Sequence, residues 1–360
     1  MQVHIKTYGC QANISDSETI AGLLKASGHS ITNKASAADI IIINTCSVKN
    51  ATQSKIISYI QEKLSQKQKL IIAGCLSKAI NLRTRFPQLL AVIGTNSITK
   101  LPAILNNPKD EFSEKQESRI TLPVIRKNKG IAIIPASQGC LNRCNFCSTK
   151  LSRGNLKSYS IKDIKKAFKQ AVKDGCKTIY LTSQDNGCYG FDIKTSLPEL
   201  LNALTQVPGD YKIRVGMMNP QHTKKILPEL LKSYQSANIQ KFTHIPVQSG
   251  SDKVLKEMNR HHSVADFKKI VSSFRKQYPK KQYPETTIAT DIIVGYPTET
   301  EKDFQKTLSL IKKTKPEVLN ISMFSSRPKT PASKLKQLPS EVIKARSKAL
   351  TALYKSYRKL

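Results

Sequence analysis

Short apolar runs alternate with amphipathic stretches along the first hundred residues. Strand-length runs lie at residues 3–8, 39–45, 70–73 and 91–93, and helical periodicity covers residues 15–27, 50–65 and 78–85. Ser15 and Glu18 have the spacing of a capping box at the start of the first helix. Because the strands are marked by apolar runs instead of alternation and are separated by helix-length stretches, the pattern predicts an open α/β domain whose parallel sheet is covered by helices on both faces.

The periodicity is lost at residues 106–130, which are polar and of mixed charge, and we predict a linker or surface hairpin there. A second series of six strands with helices between them follows. Its predicted strands are 131–136, 178–181, 212–216, 242–247, 288–294 and 318–322, and its helices are 161–173, 197–204, 224–234, 264–275 and 301–311. Six repeats are too few for a complete eightfold barrel, so a six-stranded open barrel or a doubly wound sheet fits. In either fold, chemistry belongs at the carboxyl ends of the strands.

The net charge of the chain indicates the kind of partner it binds. Lys and Arg number 59 against 25 Asp and Glu, a net charge of +34. Such an excess indicates a polyanionic partner, most often nucleic acid, although a merely well-solvated surface would also produce it. The ordinary content of 39% hydrophobic and 23% charged residues excludes a disordered or membrane-embedded chain. With no apolar run long enough to cross a bilayer and no signal peptide, we expect a cytoplasmic protein without membrane contact.

Three cysteines lie close together in GCLNRCNFCSTK, directly after the predicted strand 131–136. Cys140, Cys144 and Cys147 have the spacing C-x3-C-x2-C, so their thiolates can converge on one site. Three local ligands favour an iron–sulfur cube with one open iron over a structural zinc, which prefers four. Zinc or unpaired thiols remain the alternative.

Cys10, Cys46 and Cys75 are far apart in sequence, but each closes a predicted strand. Because parallel strands end at the same edge of a sheet, the three thiols can meet in space. The alternative is three inert, buried cysteines. Cys176 and Cys188 fit neither set, and we expect neither to be a ligand.

The C-x3-C-x-Φ-C pattern, with Phe146 as its aromatic residue, resembles the signature of radical S-adenosylmethionine enzymes. The resemblance implies that Cys140, Cys144 and Cys147 bind a [4Fe–4S] cluster whose fourth iron chelates S-adenosylmethionine. One electron from the cluster would then cleave the sulfonium to a 5′-deoxyadenosyl radical.

TYGCQAN, DSE, NTCSV and AGC resemble the motifs of the methylthiotransferase N-terminal domain. This resemblance implies a second [4Fe–4S] cluster on Cys10, Cys46 and Cys75, where bound sulfide is methylated by a further S-adenosylmethionine and then delivered. RVGMMNP, TDIIVGYPTE and SQGCLN are similar to the archaeal and eukaryotic type that acts on N6-threonylcarbamoyladenosine. The implied substrate is C2 of that nucleoside at position 37 of tRNA decoding ANN codons, with an electron donor and a sulfide source as further partners.

Three other functions remain open at this point. Related methylthiotransferases act on isopentenyladenosine in tRNA or on an aspartate of a ribosomal protein. A third possibility is a noncatalytic, metal-containing RNA-binding protein, for which zinc in place of iron would be the sign.

The resemblance also implies roles for residues at the strand ends of the second series. The implied contacts to S-adenosylmethionine involve its amino group, ribose and adenine, and the residues are Phe146, Ser183, Gln184, Asp185, Arg214, Gln248, Ser249, Val294 and Gly295. Arg214 could instead form a strand-end ion pair, and Gln248 and Ser249 could be turn formers. A lysine or arginine is expected near each cluster to tune its potential.

The resemblance divides the chain into four parts. They are an N-terminal methylthiotransferase domain at 1–105, a linker at 106–130, a radical S-adenosylmethionine domain at 131–325 with a six-stranded (β/α)6 partial TIM barrel, and a C-terminal part at 326–360 with a basic helix predicted at 340–359. The family normally ends in a small RNA-binding barrel, the TRAM domain. None is recognisable in the 34 residues after Ser326. We therefore expect the basic faces of both domains and the final helix to hold tRNA.

Overall fold

A computed structural model describes residues 1–48 and 50–358, which form two compact units. The first unit comprises Met1–Cys140 and Cys147–Cys176, and the second comprises Leu141–Phe146 and Lys177–Leu360. The domain boundaries inferred from the family resemblance divide the chain differently and stay a prediction.

A five-stranded parallel sheet forms the centre of the first unit, in the order β2-β1-β3-β4-β5. Two short antiparallel strands, β7 and β8, pair with each other. The strands of this unit are β1 Gln2–Thr7, β2 Ser30–Thr32, β3 Ile40–Thr45, β4 Leu70–Gly74, β5 Ala91–Val92, β6 Ile131–Pro135, β7 Ser137–Gln138 and β8 Lys157–Ser158. The predicted open parallel sheet is thus confirmed.

The run of isoleucines in β3 explains why both faces of the sheet are covered. Ile40 and Ile42 pack into one hydrophobic cluster, and Ile41 and Ile43 pack into a second one with α2. Side chains of a strand alternate between faces, so an uninterrupted apolar run requires a core on each side. The helices of the unit are α1 Gln11–Ala26, α2 Asn50–Ser65, α3 Leu76–Ala79, α4 Leu82–Arg85, α5 Leu101–Asn106, α6 Thr149–Arg153 and α7 Ile161–Lys173.

Two of the helix predictions in this unit are wrong in part. Helix α1 begins at Gln11, so Ser15 and Glu18 lie inside it and are buried instead of forming a capping box. The predicted helix at 78–85 is two short helices, because the chain extends at Ile80 and Asn81 between them. Apart from short turns and a bridge between Glu111 and Ile93, the segment 107–130 is irregular, but it is anchored by buried Arg119 and Ile120.

The second unit continues the alternation of parallel strands and helices. Strand β9 pairs with β10, and β12 lies between β11 and β13. The strands are β9 Thr178–Thr182, β10 Lys212–Val215, β11 Phe242–His244, β12 Thr287–Val294 and β13 Val318–Met323. The helices are α8 Leu197–Thr205, α9 Pro220–Thr223, α10 Leu227–Ser233, α11 Asp252–Glu257, α12 Val264–Gln277, α13 Glu301–Thr314 and α14 Ser340–Arg358.

One prediction in the second unit needs correction. The helix expected at 224–234 is shortened to α10, because Ile226 is not helical and Pro228 lies in the first turn of α10. The short helix α9 ends at Thr223, before the expected range. The last predicted helix residue, Lys359, lies outside the described residues. Within residues 1–48 and 50–358, no helix combines the length and apolarity that a bilayer crossing requires.

Candidate functional site

The three N-terminal cysteines follow three neighbouring strands of the first unit. Cys46 and Cys75 come directly after β3 and β4, and Cys10 comes three residues after β1. These strands are adjacent and parallel, so their carboxyl ends lie side by side. Cys10 is exposed, whereas the other two are buried. The three thiols therefore share one edge of the sheet and have one solvent-facing member.

Asn13, in the first turn of α1, joins two of these cysteines. Its side-chain oxygen lies 4.0 Å from Sγ of Cys10 and 3.9 Å from Sγ of Cys75. Its amide nitrogen donates to the carbonyls of Tyr8 and Thr45, at 2.8 Å each. The oxygen and the nitrogen of the Asn13 amide thus both have partners, which fixes the orientation of the amide.

Two buried arginines complete this cluster of polar groups. Arg153 Nη2 donates to Asn13 Oδ1 at 2.8 Å and to Asp16 Oδ2 at 2.7 Å. Arg119 Nη1 donates to the other carboxylate oxygen of Asp16 at 2.9 Å. All four side chains are buried, which accounts for the polar face of α1.

The thiols influence one another electrostatically. The pKa of Cys75 is raised to about 11 in all: burial raises it most, the positive charge of Arg153 lowers it, and the negative charges of Cys10 and Cys46 raise it. A cluster that binds thiolates must displace their protons, and a nearby cation favours that. Three thiols beside a buried cation are a donor set that suits an iron–sulfur cluster with one open iron.

Cys140 and Cys147 belong to the first unit. The amide of Cys140 donates to the carbonyl of Gly154 at 3.2 Å, and Lys150 Nζ donates to the carbonyl of Cys140. Helix α6 begins two residues after Cys147. Gly139 precedes Cys140 with a φ of +68°, so the chain enters the cysteine motif through a left-handed residue.

Cys144 lies in the second unit, in the loop Leu141–Phe146. Arg260 Nη1 points at Sγ of Cys144 at 3.7 Å and holds the carbonyl of Pro246 through Nη2 at 2.6 Å. The side chain of Asn145 donates to the carbonyl of Glu257 at 2.7 Å. Glu257 at the end of α11 thus fixes the loop, and Arg260 just after this helix places a cation beside the thiol of Cys144.

Asn142 anchors the other end of that loop. Its amide nitrogen donates to Asp185 Oδ2 at 2.9 Å, and its oxygen lies 3.0 Å from Nε2 of His222. The backbone amides of Gly187 and Asn219 occupy Asp185 Oδ1, at 2.9 Å each. Burial raises the pKa of Asp185 and lowers that of His222. The carboxylate of Asp185 therefore holds the cysteine loop.

Several buried polar atoms near the ends of β9, β10 and β11 have no hydrogen-bond partner among the described residues. They are Gln184 Oε1, Asn186 Oδ1, Asn219 Nδ2, Gln221 Oε1, His222 Nδ1 and Gln248 Oε1. Unpaired buried groups are costly, and they point to a polar ligand. Gln248 also has a φ of +75°, a strained conformation for a residue with a side chain. These acceptors and donors fit a polar molecule such as S-adenosylmethionine.

The remaining candidates make protein contacts. The guanidinium of Arg214 lies 3.8 Å from the ring centre of Phe242, and so stacks instead of forming the ion pair considered above. The hydroxyl groups of Ser183 and Ser249 accept from the amides two residues ahead. Buried Val294 ends β12, and Gly295 follows with a φ of +77°. Phe146 packs against a core cluster that includes Val254, Met258, Tyr296, Phe324 and Ala332.

The two remaining cysteines are buried and bonded to backbone. Cys176 donates to the carbonyl of Lys129, and Cys188 donates to the carbonyl of Asp185, at 3.3 Å each. Asp185, Cys188 and His222 have ligand atoms within 4.8 Å of one another. Protein hydrogen bonds already engage all three side chains, so this group needs no metal.

Sequence reasoning missed the residues that support the cysteines. Asn13 lies in TYGCQAN and Asp16 begins DSE, so these two motifs contained a signal for them. Arg153 and Arg260 lie outside the quoted motifs. Arg153 bonds to Asn13 and Arg260 contacts Cys144, and each pair is more than a hundred positions apart in sequence.

Two family models match the chain. "Uncharacterized protein family UPF0004" matches residues 2–94, and "Radical SAM superfamily" matches residues 134–311. The first match covers the N-terminal cysteines and the second covers the C-x3-C-x2-C motif.

Curated relatives match over almost the full chain. A probable threonylcarbamoyladenosine tRNA methylthiotransferase of Pyrococcus horikoshii is 39% identical over 360 residues, covering 97% of this chain and 83% of that protein. The human threonylcarbamoyladenosine tRNA methylthiotransferase is 40% identical, covering 99% of this chain and 63% of that protein. Among solved structures, the radical S-adenosylmethionine methyltransferase TsrM from Kitasatospora setae matches with a TM-score of 0.65 over 92% of this chain and 77% of that chain. At 11% identity, that likeness shows the fold alone.

Proposed function

Because the chain belongs to the family of threonylcarbamoyladenosine tRNA methylthiotransferases, we propose that it attaches a methylthio group to C2 of N6-threonylcarbamoyladenosine at position 37 of tRNA. It is a radical S-adenosylmethionine enzyme. The observation that carries the proposal is the meeting of Cys10, Cys46 and Cys75 at one edge of a sheet, in a chain that also has the C-x3-C-x2-C motif.

We assign a [4Fe–4S] cluster to Cys140, Cys144 and Cys147, and a second one to Cys10, Cys46 and Cys75. When bound, the first supplies one-electron cleavage of S-adenosylmethionine, and the second holds the sulfur to be transferred. Arg260 places a positive charge beside the Cys144 thiolate. Asn142 and Asn145 hold the loop that carries this cysteine in place.

The ends of the second-unit strands hold S-adenosylmethionine in this proposal. Gln184 and Gln248 contribute buried oxygens without a partner among the described residues. Asp185 supports the cofactor indirectly through the cysteine loop. The (β/α)6 partial barrel predicted from the sequence remains our assignment for the radical S-adenosylmethionine domain, in line with the fold-level likeness to TsrM.

An anaerobic assay tests the proposal. The reconstituted protein is given S-adenosylmethionine, dithionite and sulfide with tRNA that carries threonylcarbamoyladenosine, isopentenyladenosine or unmodified adenosine at position 37, or with RNA-free ribosomal protein. Mass spectrometry of the nucleosides should find the methylthio product only with the first. Product on isopentenyladenosine, or on an aspartate of ribosomal protein, would reassign the substrate. Absence of S-adenosylmethionine cleavage with zinc bound would favour a noncatalytic RNA-binding protein.

Helix α14 presents a basic face for the tRNA backbone. Exposed Lys344, Lys348 and Lys355 line a cleft of about 440 Å³ together with Ser347, Thr351, Ala352 and Met323. The opposite face is anchored in the second unit: Arg346 pairs with Glu299 at 2.8 Å, and Leu350 is fully buried. Deleting the helix would therefore damage the unit, and the lysines are the sharper test of RNA contact.

Replacing Lys344, Lys348 and Lys355 with glutamine should weaken tRNA binding about tenfold or more at low salt. With fewer phosphate contacts, binding releases fewer counterions. The slope of log affinity against log salt should therefore become shallower by about 2 units in total. Filter binding or fluorescence anisotropy at several salt concentrations measures both.

The matched control replaces Lys162, Lys166 and Lys169, which are exposed along one face of α7. It removes the same charge from another helix. If the two triple variants lose affinity equally, binding follows overall charge and the assignment to α14 is wrong.

A further inference from the structure

A buried excess of positive charge lies beside the N-terminal cysteines. The guanidinium groups of Arg119 and Arg153 share the single carboxylate of Asp16, at 2.9 and 2.7 Å. Two cations against one anion leave a net charge of +1, and all three side chains are less than 10% exposed. A buried charge without a counter-charge is costly, so this group calls for an anion next to it.

Arg153 directs that charge toward the thiols. Its Nη2 bonds to Asn13 Oδ1, the atom that lies about 4 Å from Sγ of both Cys10 and Cys75. Asn13 is held from its other end by the carbonyls of Tyr8 and Thr45. The guanidinium thus fixes the amide that touches two of the three cysteines.

An iron–sulfur cluster on these cysteines would have a negative charge that balances the buried positive charge of Arg119, Arg153 and Asp16. A [4Fe–4S]²⁺ core with three thiolates has a net charge of about −1, and one-electron reduction makes it more negative. A nearby fixed cation stabilises the reduced form more than the oxidised form, and a nearby anion does the opposite.

We propose that Arg153 is the positioning residue of the N-terminal cluster and sets its reduction potential, with Asp16 as the opposing charge. The inference rests on the proposed second cluster. The two can be tested apart, because binding of iron and its potential are separate measurements.

The experiment uses the full chain with Cys140, Cys144 and Cys147 replaced by alanine, so that only the N-terminal site binds iron. Iron and sulfide are determined after anaerobic reconstitution, and a dithionite titration followed by electron paramagnetic resonance gives the midpoint potential. Arg153→Gln should reduce the equilibrium constant for reduction about tenfold or more, a shift of about 59 mV to lower potential for one electron. Asp16→Asn should shift it in the opposite direction. As a control, Arg83→Gln removes an arginine that pairs with Asp110, and it should leave the midpoint potential unchanged.

The outcomes separate the two proposals. No iron in the parent protein would refute the second cluster itself. About four irons with the same midpoint in Arg153→Gln and Asp16→Asn would overturn the role of Arg153 alone. If circular dichroism shows that Arg153→Gln does not fold, two other variants test the proposal. Arg153→Lys should keep a midpoint potential near that of the parent, and Asp16→Asn should still raise the midpoint potential. Any other pattern contradicts the proposal.

Discussion

Replacing Cys10, Cys46 and Cys75 with alanine should lower the iron content of the reconstituted protein from about eight to about four atoms per chain. The radical motif at Cys140, Cys144 and Cys147 is untouched, so S-adenosylmethionine should still be cleaved to 5′-deoxyadenosine. Formation of the methylthio nucleoside should fall below detection, because the sulfur to be transferred has lost its site. Iron and sulfide assays, with chromatography of both products, measure the separation of the two activities.

Cys176→Ser provides the control for this prediction. Cys176 is buried and donates to a backbone carbonyl, a bond that a serine hydroxyl can also make. This variant should keep about eight irons and full product formation. About four irons both in the wild type and in the triple variant would mean a radical enzyme with one cluster, and sulfur delivery from the N-terminal cysteines would be refuted.

The sheet of the first unit could be predicted because its strands β3 and β4 are apolar runs. The isoleucines of β3 leave no polar face, so the strand must lie inside a covered parallel sheet. Once neighbouring strands are parallel, the cysteines that follow them fall at one edge without further information. The sheet and the placement of Cys10, Cys46 and Cys75 at one of its edges were therefore predictable together.

The start of α1 could not be predicted from periodicity. Asn13, Asp16 and Glu18 are polar, and a surface helix would expose such residues. Here they are buried, because Arg119, Arg153 and backbone groups satisfy them. Polar residues buried for a functional site break the apolar pattern from which helices are read.

The supporting residues were unpredictable for a related reason. Arg153 reaches Asn13 across 140 positions of sequence, and Arg260 reaches Cys144 across 116. Neither pair has a spacing rule, because the contact depends on how distant elements pack. A motif gives the ligands of a cluster, whereas its electrostatic surroundings appear only in three dimensions.

Gly139→Ala should abolish the radical cluster while the N-terminal one remains. A Cβ at Gly139 would lie 1.9 Å from the carbonyl oxygen of Asn155 and 2.5 Å from its carbon, both backbone atoms that cannot turn aside. The φ of +68° adds about 1 to 2 kcal/mol of strain for any L-residue. Cys140, the next residue, must therefore leave its bond with the carbonyl of Gly154. We expect iron to fall from about eight to about four per chain and cleavage of S-adenosylmethionine to fall at least about 100-fold.

Gly175→Ala is the control for backbone strain without a steric clash. Gly175 also has a positive φ, of +84°, but a Cβ there meets no atom within 4 Å. This variant should lose about 1 kcal/mol of stability and keep about eight irons and wild-type cleavage. If Gly139→Ala behaves like Gly175→Ala in iron content and cleavage, the close approach of Asn155 does not hold Cys140 in its ligand position. Loss of iron only at Gly139 would show that the backbone turn at Asn155 holds the first ligand of the radical cluster in place.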